Sequence, residues 1–140
     1  MAVHTLVYET EVPIPFTCAD GTAIPKGTLV KLSDPMTVAA STGDADTIIG
    51  VTAEEKIAND GKTKVPVYMG GIFKATAGGN CTVGKTLMSY SATGDANDLI
   101  DGTNAALYTK CVGIALETAT DGQTFLYKLA PGQASVNVLA

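Results

Sequence analysis

The sequence predicts a mainly β fold: a compact single domain built from two duplicated β half-units, with an extended N-terminal arm and at most short helical turns. Three observations predict it. Asp-Gly occurs at Asp20-Gly21, Asp60-Gly61, Asp101-Gly102 and Asp121-Gly122, a pair suited to tight turns because both residues tolerate positive φ. Short runs rich in β-branched and aromatic residues lie between these turns. Four sequence blocks recur in the same order.

In chain order, residues 1–19 read as the arm. Val3–Glu9 is strand-capable. Pro13 and Pro15 stiffen Val12–Phe16, which is expected to run extended and to resist central-strand pairing, because each proline lacks a donor. The alternative is an edge strand of the domain's own sheet. Residues 20–140 form the β domain. Its expected strands are Thr28–Leu32, Thr37–Ala40, Thr47–Thr52, Thr63–Met69, Ile72–Thr76, Thr86–Tyr90, Ala105–Thr109, Val112–Glu117, Thr124–Leu129 and Ser135–Leu139. Thr52-Ala53-Glu54-Glu55 has capping-box spacing, which leaves room for at most two turns of helix before Asp60-Gly61. A second short helical turn is expected around Asn97–Ile100.

The repeat sets the half-units at about 20–77 and 78–132, with a C-terminal strand at 133–140. Ile24-Pro25-Lys26-Gly27 parallels Cys81-Thr82-Val83-Gly84, at an offset of 57. Thr42-Gly43-Asp44-Ala45-Asp46 parallels Thr93-Gly94-Asp95-Ala96-Asn97, at 51. Ile49–Glu54 parallels Val112–Glu117 at 63, and Asp60–Thr63 parallels Asp121–Thr124 at 61. The changing offsets place a deletion before the second block and an insertion near Leu99–Lys110, where loops absorb length changes. Each half is too small to bury its own face well, so the two are expected to pack into one core.

Composition removes several function classes. With 140 residues, 46% hydrophobic and 16% charged, the chain is one foldable domain and is too apolar for a disordered one. A net charge of −5 argues against nucleic acid or an anionic membrane as partner. Every basic residue is a lysine, so no arginine is available for bidentate recognition of phosphate. The single histidine, His4, lies in a segment expected to be mobile, which leaves Ser-His-Asp and Cys-His chemistry without a fixed base. Cys18, Cys81 and Cys111 are odd in number and form no C-x-x-C pair, so reduced thiols are expected, with Cys81 and Cys111 as small core residues. The N-terminus lacks the cationic start and apolar run of a signal peptide, and no apolar stretch is long enough to span a bilayer.

One stretch competes with this reading. Gly79–Thr86 satisfies the phosphate-loop pattern G-x-x-x-x-G-K-[ST]. That loop needs a buried strand before it and a helix opening at Lys85-Thr86, so that helical amides meet the phosphates. Instead Leu87–Tyr90 reads as a strand that runs into a Thr93-Gly94 turn, and Gly27-Thr28 takes the same place in the first copy without the motif. Gly78-Gly79 therefore reads as the bend between copies, and Lys85 as a solvated turn residue. Asp44-Ala45-Asp46 has oxygen ligands two apart but lacks the later acidic positions of a calcium loop. No residues assemble a catalytic, metal or cofactor site, and the sequence implies no enzyme.

These residues also resemble a known family. Ile24–Leu32, then Ile48–Thr52, then Lys64–Val67 with Gly70-Gly71-Ile72-Phe73, is similar to the head decoration, or capsid cement, proteins of tailed bacteriophages. Val83-Gly84-Lys85, Val112–Leu116 and Phe125-Leu126-Tyr127 fit that family's internal duplication, and the resemblance spans about Gly21 to Pro131. It implies a virion structural protein, made in the host cytoplasm. Such a protein sits on the outer surface of the expanded capsid and stabilises it by bridging major capsid protein subunits, commonly as a homotrimer. It also implies a capsid-contacting arm, for which the apolar residues Val3, Leu6, Val7, Tyr8, Val12, Ile14 and Phe16 are the candidates. A non-catalytic β-sandwich binding module, of carbohydrate-binding or tail-fibre type, is the alternative. The absence of Trp weakens it, because such modules present aromatic platforms.

Overall fold

The computed structural model describes residues 3–43, 46–90, 97–102 and 111–132, and every regular element among them is a strand. β1 (Thr5–Tyr8) comes first. β2 (Ile14–Thr17), β3 (Leu29–Asp34), β4 (Thr37–Ala40), β5 (Ile48–Thr52) and β6 (Lys64–Tyr68) close into a barrel in the order β2-β4-β3-β5-β6. β7 (Gly71–Thr76), β8 (Thr86–Tyr90), β9 (Asp98–Asp101), β10 (Gly113–Ala115) and β11 (Thr124–Leu129) join β1 in a six-stranded sheet ordered β1-β7-β11-β10-β8-β9.

The two sets are wired alike. In the first, β2 pairs with β6, β6 with β5, β5 with β3 and β3 with β4, all antiparallel. In the second, β7 pairs with β11, β11 with β10, β10 with β8 and β8 with β9, again antiparallel. The first set closes through a parallel contact between Thr17 and Thr37. The second curls the same way through a parallel bridge between Ala77 and Leu99. Among the described residues, β1 is the one strand without a counterpart, and it adds to the outer edge of β7. The turns repeat too: Gly27 and Gly84, matched at offset 57, have φ of 80° and 84°. Pairing passes from one set to the other between Tyr68 and Gly71, so the expected boundary at 77/78 falls inside the second set.

Two apolar clusters fill the molecule. One lies within the first barrel, around Phe16, Val30, Val38, Val65 and Val67. The larger collects Phe73, Leu87, Leu99, Phe125 and Tyr127 of the second set with Leu29, Ile48 and Val51 of the first. The larger cluster thus draws on both halves, while the first barrel also holds a cluster of its own.

Three expectations are corrected. Val12–Phe16 is extended, but it does not resist pairing: β2 pairs with β6 over four residues and closes the barrel through β4. The prolines are accommodated by position. Pro15 lies opposite Pro66, and the N–H groups of its neighbours show the alternation. Cys18 N–H points to Thr63 O on β6, whereas Thr17 N–H points to Met36 O on the other side. Pro15 shares the parity of Thr17, so its missing donor faces the outer edge and costs the β2–β6 ladder nothing. No helix opens at Thr52, because Thr52 ends β5 and its hydroxyl is used across the barrel. It accepts from Thr28 N–H (3.0 Å) and donates to Pro25 O (2.8 Å). Around Asn97–Ile100 the chain forms β9 instead of a helical turn, since Asp98 to Asp101 pair with Tyr90 to Leu87. The other expected strands among the described residues appear within a few residues of their predicted ends. Ala105–Thr109, Ser135–Leu139, the residues Thr93–Ala96 of the second block and Asp44-Ala45 lie outside the described residues.

Candidate functional site

The seven candidate contact residues divide by what β1 and β2 require of them. Val3, Val7, Tyr8, Val12 and Ile14 are exposed. Phe16 is buried in the first barrel, and Leu6 is half-buried against the larger core. The segment is therefore pinned by Leu6 and Phe16 and displays the other five. Strand alternation sends neighbouring side chains to opposite faces, so one short strand can anchor and present at once. Tyr68 at the end of β6 ties the stretch between β1 and β2, its hydroxyl donating to Glu9 Oε2 (3.2 Å).

His4 is not mobile but fully buried where the two halves meet. Its N–H donates to Gly27 O (2.8 Å) in the first half. Its ring reaches Asn97 O (2.8 Å) through Nε2 and the Tyr127 hydroxyl (2.7 Å) through Nδ1, both in the second half. A carbonyl can only accept, so Nε2 carries the hydrogen and Nδ1 accepts from Tyr127. Burial is the dominant influence on the imidazole and lowers its pKa to about 4, with the Asn97 carbonyl pulling the other way. Burial also raises the Tyr127 phenol well above its ordinary value. Asn97 spans the same junction, its Oδ1 accepting from Leu29 N–H (2.8 Å).

Lys56 and the three cysteines are structural. Lys56 is buried, and its Nζ donates to Asp60 Oδ1 (2.7 Å) and Asp20 Oδ1 (3.0 Å). Burial alone would lower its pKa, but Asp60 and Asp20 outweigh that and raise it. Cys81 is pushed up to about 12 by burial first and Asp101 second, and burial also raises Cys18 and Cys111. These are inert core thiols. Thr86 opens β8 directly, so Gly79–Thr86 leads into a strand and not into the helix that a phosphate loop requires.

Sequence reasoning missed one surface feature. The β3–β4 hairpin turns at Pro35-Met36, and Met36 holds φ 48° while 56% exposed. A non-glycine residue there costs about 1–2 kcal/mol. The signal was present: proline sets the first central position of such a turn, and glycine is expected at the second. Beside it Leu32 and Ile14 are 41% and 36% exposed, although their cross-strand partners Val38 and Val67 are buried.

The comparisons with known proteins agree with this architecture. The N-terminal base of the head fibre protein gp8.5 of bacteriophage phi29 superposes with a TM-score of 0.54 at 15% identity, covering 97% of this chain and 100% of that one. At that identity the likeness shows the fold. No curated protein matches by sequence. The phage cement protein family matches residues 8–129. With an all-β domain of one closed barrel and one six-stranded sheet, and a match over most of its length, the chain belongs to the phage cement protein family and is a capsid-associated structural protein of a bacteriophage.

Proposed function

We propose that this protein binds the outer surface of the expanded capsid and stabilises it by bridging neighbouring major capsid protein subunits. It does so as a homotrimer, made in the host cytoplasm and added to the virion. It acts through contact alone, with no catalysis, cofactor, metal, nucleic acid or membrane involved. The family match over residues 8–129 carries the reading. The structure supports it in two ways. The backbone is locked by pairing at both ends of the contact segment, so ordering it on the capsid costs little further entropy. Val3, Val7, Tyr8, Val12 and Ile14 supply apolar contacts, and β1 has one edge facing away from β7, where a capsid strand can add. Three copies on one trimer multiply a weak single contact.

Mixing the purified protein with expanded heads that lack it, followed by sedimentation, tests the reading. The expected result is saturable binding, a trimeric mass by light scattering before binding, and heads that release DNA at a higher temperature afterwards. Failure to sediment with heads, together with affinity for a glycan array, would replace this reading with the carbohydrate-binding one.

A further inference from the structure

We infer that the open end of the first barrel, around Ile14, Leu32 and Met36, is the seat for the partner. That partner is a different protein chain, apolar at the centre of the contact and lined by lysine or arginine at its rim. The inference rests on the capsid-binding reading above and names the face it uses.

The duplication provides an internal comparison. Ile14 lies opposite Val67 as Phe73 lies opposite Tyr127, and Leu32 lies opposite Val38 as Ser89 lies opposite Leu99. At the second set both positions are sealed, with Phe73 and Ser89 at 1% and 0% exposure. The seal comes from other parts of the chain. Leu6 of β1 packs on that core, and the loop after β4 crosses over β8. There Asp46 N–H donates to Ser89 Oγ (3.0 Å), and Ser89 Oγ donates to Gly43 O (3.1 Å). At the first barrel the same positions hold the apolar Ile14 and Leu32 on the buried face of their strands, yet they stay wet. They lie where β2 and β4 begin and β3 ends, and the Met36 tip stands beside them. Ile49 and Met69 are half-buried against the same barrel core. Among the described residues, the chain folds a cover over one end and leaves the matching end bare, with apolar side chains aimed into it.

Charge selects the occupant. Glu9, Glu11 and Asp34 are exposed around this end. Glu11 lines a cleft there with Ile49, Met69 and the exposed Lys128, which offsets one of the three carboxylates. Lys31 on β3 is engaged by Asp46 (3.8 Å) and by Thr42 Oγ1 (2.6 Å). Across a two-fold contact a second copy would set this acidic rim against itself, and in a trimer, where a different patch faces it, the neighbour still carries a net charge of −5. A chain with a basic rim meets no such penalty.

Sedimentation with expanded heads tests this, with the full-length chain and its Leu32→Gln, Met36→Gly, Glu11→Gln/Asp34→Asn and Val83→Gln variants. Leu32→Gln and Met36→Gly are expected to weaken head binding at least tenfold. Met36→Gly removes a strained φ, so its melting temperature should equal or exceed the wild type while its binding falls, which a purely structural role cannot produce. The paired acid variant should bind more slowly and lose salt dependence. Val83→Gln, an exposed apolar site on the second half, should bind as wild type. If the wild type sediments with heads and Leu32→Gln and Met36→Gly do so equally well, the seat is elsewhere and only this inference falls. If the wild type does not bind heads, both readings fall. If these variants instead break the protein's own oligomer, the occupant is a second copy and the inference is overturned.

Discussion

The barrel and the six-stranded sheet share one strand wiring and differ in what they bury. In the first, Ile24 bridges to Lys56; in the second, Cys81 bridges to Ala119. The hydrogen bonds are almost superposable, at 2.9 and 2.8 Å in each pair. Yet the side chain at one site is an ammonium held by two aspartates, and at the other a methyl group. The wiring of a β unit depends on main-chain pairing and on a few turn glycines, so it tolerates such divergence. The first half is left with an ionic core element and an exposed apolar end. The second half has an apolar core under a strand and a loop supplied by its neighbour. Duplication has thus produced one half suited to holding the other together and one suited to being covered.

The sharpest way to break the comparison is to give the first set the second set's residue. Lys56→Ala leaves Asp20 and Asp60 facing each other around a cavity. Their other donors are Gly61 N–H (3.0 Å) for Asp20 and Lys62 N–H (2.9 Å) for Asp60. Removing one partner of a buried ion network is far more costly than never having built it. Thermal melting is expected to show a fall on the order of 10 °C. Adding Asp20→Asn and Asp60→Asn should recover part of it. The pH dependence has a definite sign. The Lys56 hydrogen bond and then Lys62 N–H hold the Asp60 carboxyl below its ordinary range. The stability it contributes is therefore present above the unfolded carboxylate pKa and is lost as pH falls through the folded value. A Lys56→Ala protein that melts like the wild type would mean the cluster is decoration on a core that does not need it.

A matched pair of glycines sharpens the comparison at the next scale. Gly27 and Gly84 have nearly the same positive φ, but a Cβ on Gly27 would stand 2.5 Å from His4 O, whereas one on Gly84 meets nothing within 4 Å. Gly84→Ala therefore pays for the left-handed backbone alone, about 1 kcal/mol. Gly27→Ala pays that and must also displace the His4 backbone, for a total of about 3 kcal/mol. Urea unfolding of the two variants reads the difference as the cost of moving the N-terminal strap. Equal losses would mean that the strap yields freely.

Local chemistry made much of the fold legible. Thr37–Ala40, Thr86–Tyr90 and Thr124–Leu129 stand at the ends their β-branched runs and flanking turns implied. Gly84 was matched to Gly27 by sequence alone, and the two share their φ. Features that depend on distant partners were hidden. Pro13 and Pro15 argue locally against pairing, and only the opposing Pro66, with the alternation of donors, shows why β2 pairs at all. Asn97–Ile100 carries no strand signal of its own and becomes β9 because β8 offers an edge. Of the contact candidates, alternation alone could not tell that Phe16 faces inward and Tyr8 outward. Leu32 and Met36 went unnoticed because apolar residues near a hairpin look like core until the barrel is closed and found open at that end.

The smallest effect probes the strap itself. The imidazole of His4 would be about 6.5 in the unfolded chain and is about 4 here, because burial disfavours its charge. The folded state thus favours the neutral ring. That preference is fully expressed above pH 6.5 and is withdrawn as pH falls towards 4. By pH 5 the loss amounts to about 2 kcal/mol. His4→Gln keeps a donor and an acceptor but cannot titrate, so its stability should change less between pH 7 and 5 than that of the wild type by about this amount. Carboxylates that titrate in the same window affect both proteins equally and cancel in the difference. Because His4 contacts Gly27 in one half and Asn97 and Tyr127 in the other, protonation should loosen the junction before either set of strands. Hydrogen exchange at pH 5 should therefore accelerate first at Leu29, whose N–H is held by Asn97, and at the β1–β7 pairs. Uniform acceleration across barrel and sheet would show instead that the strap and both sets of strands open as one unit.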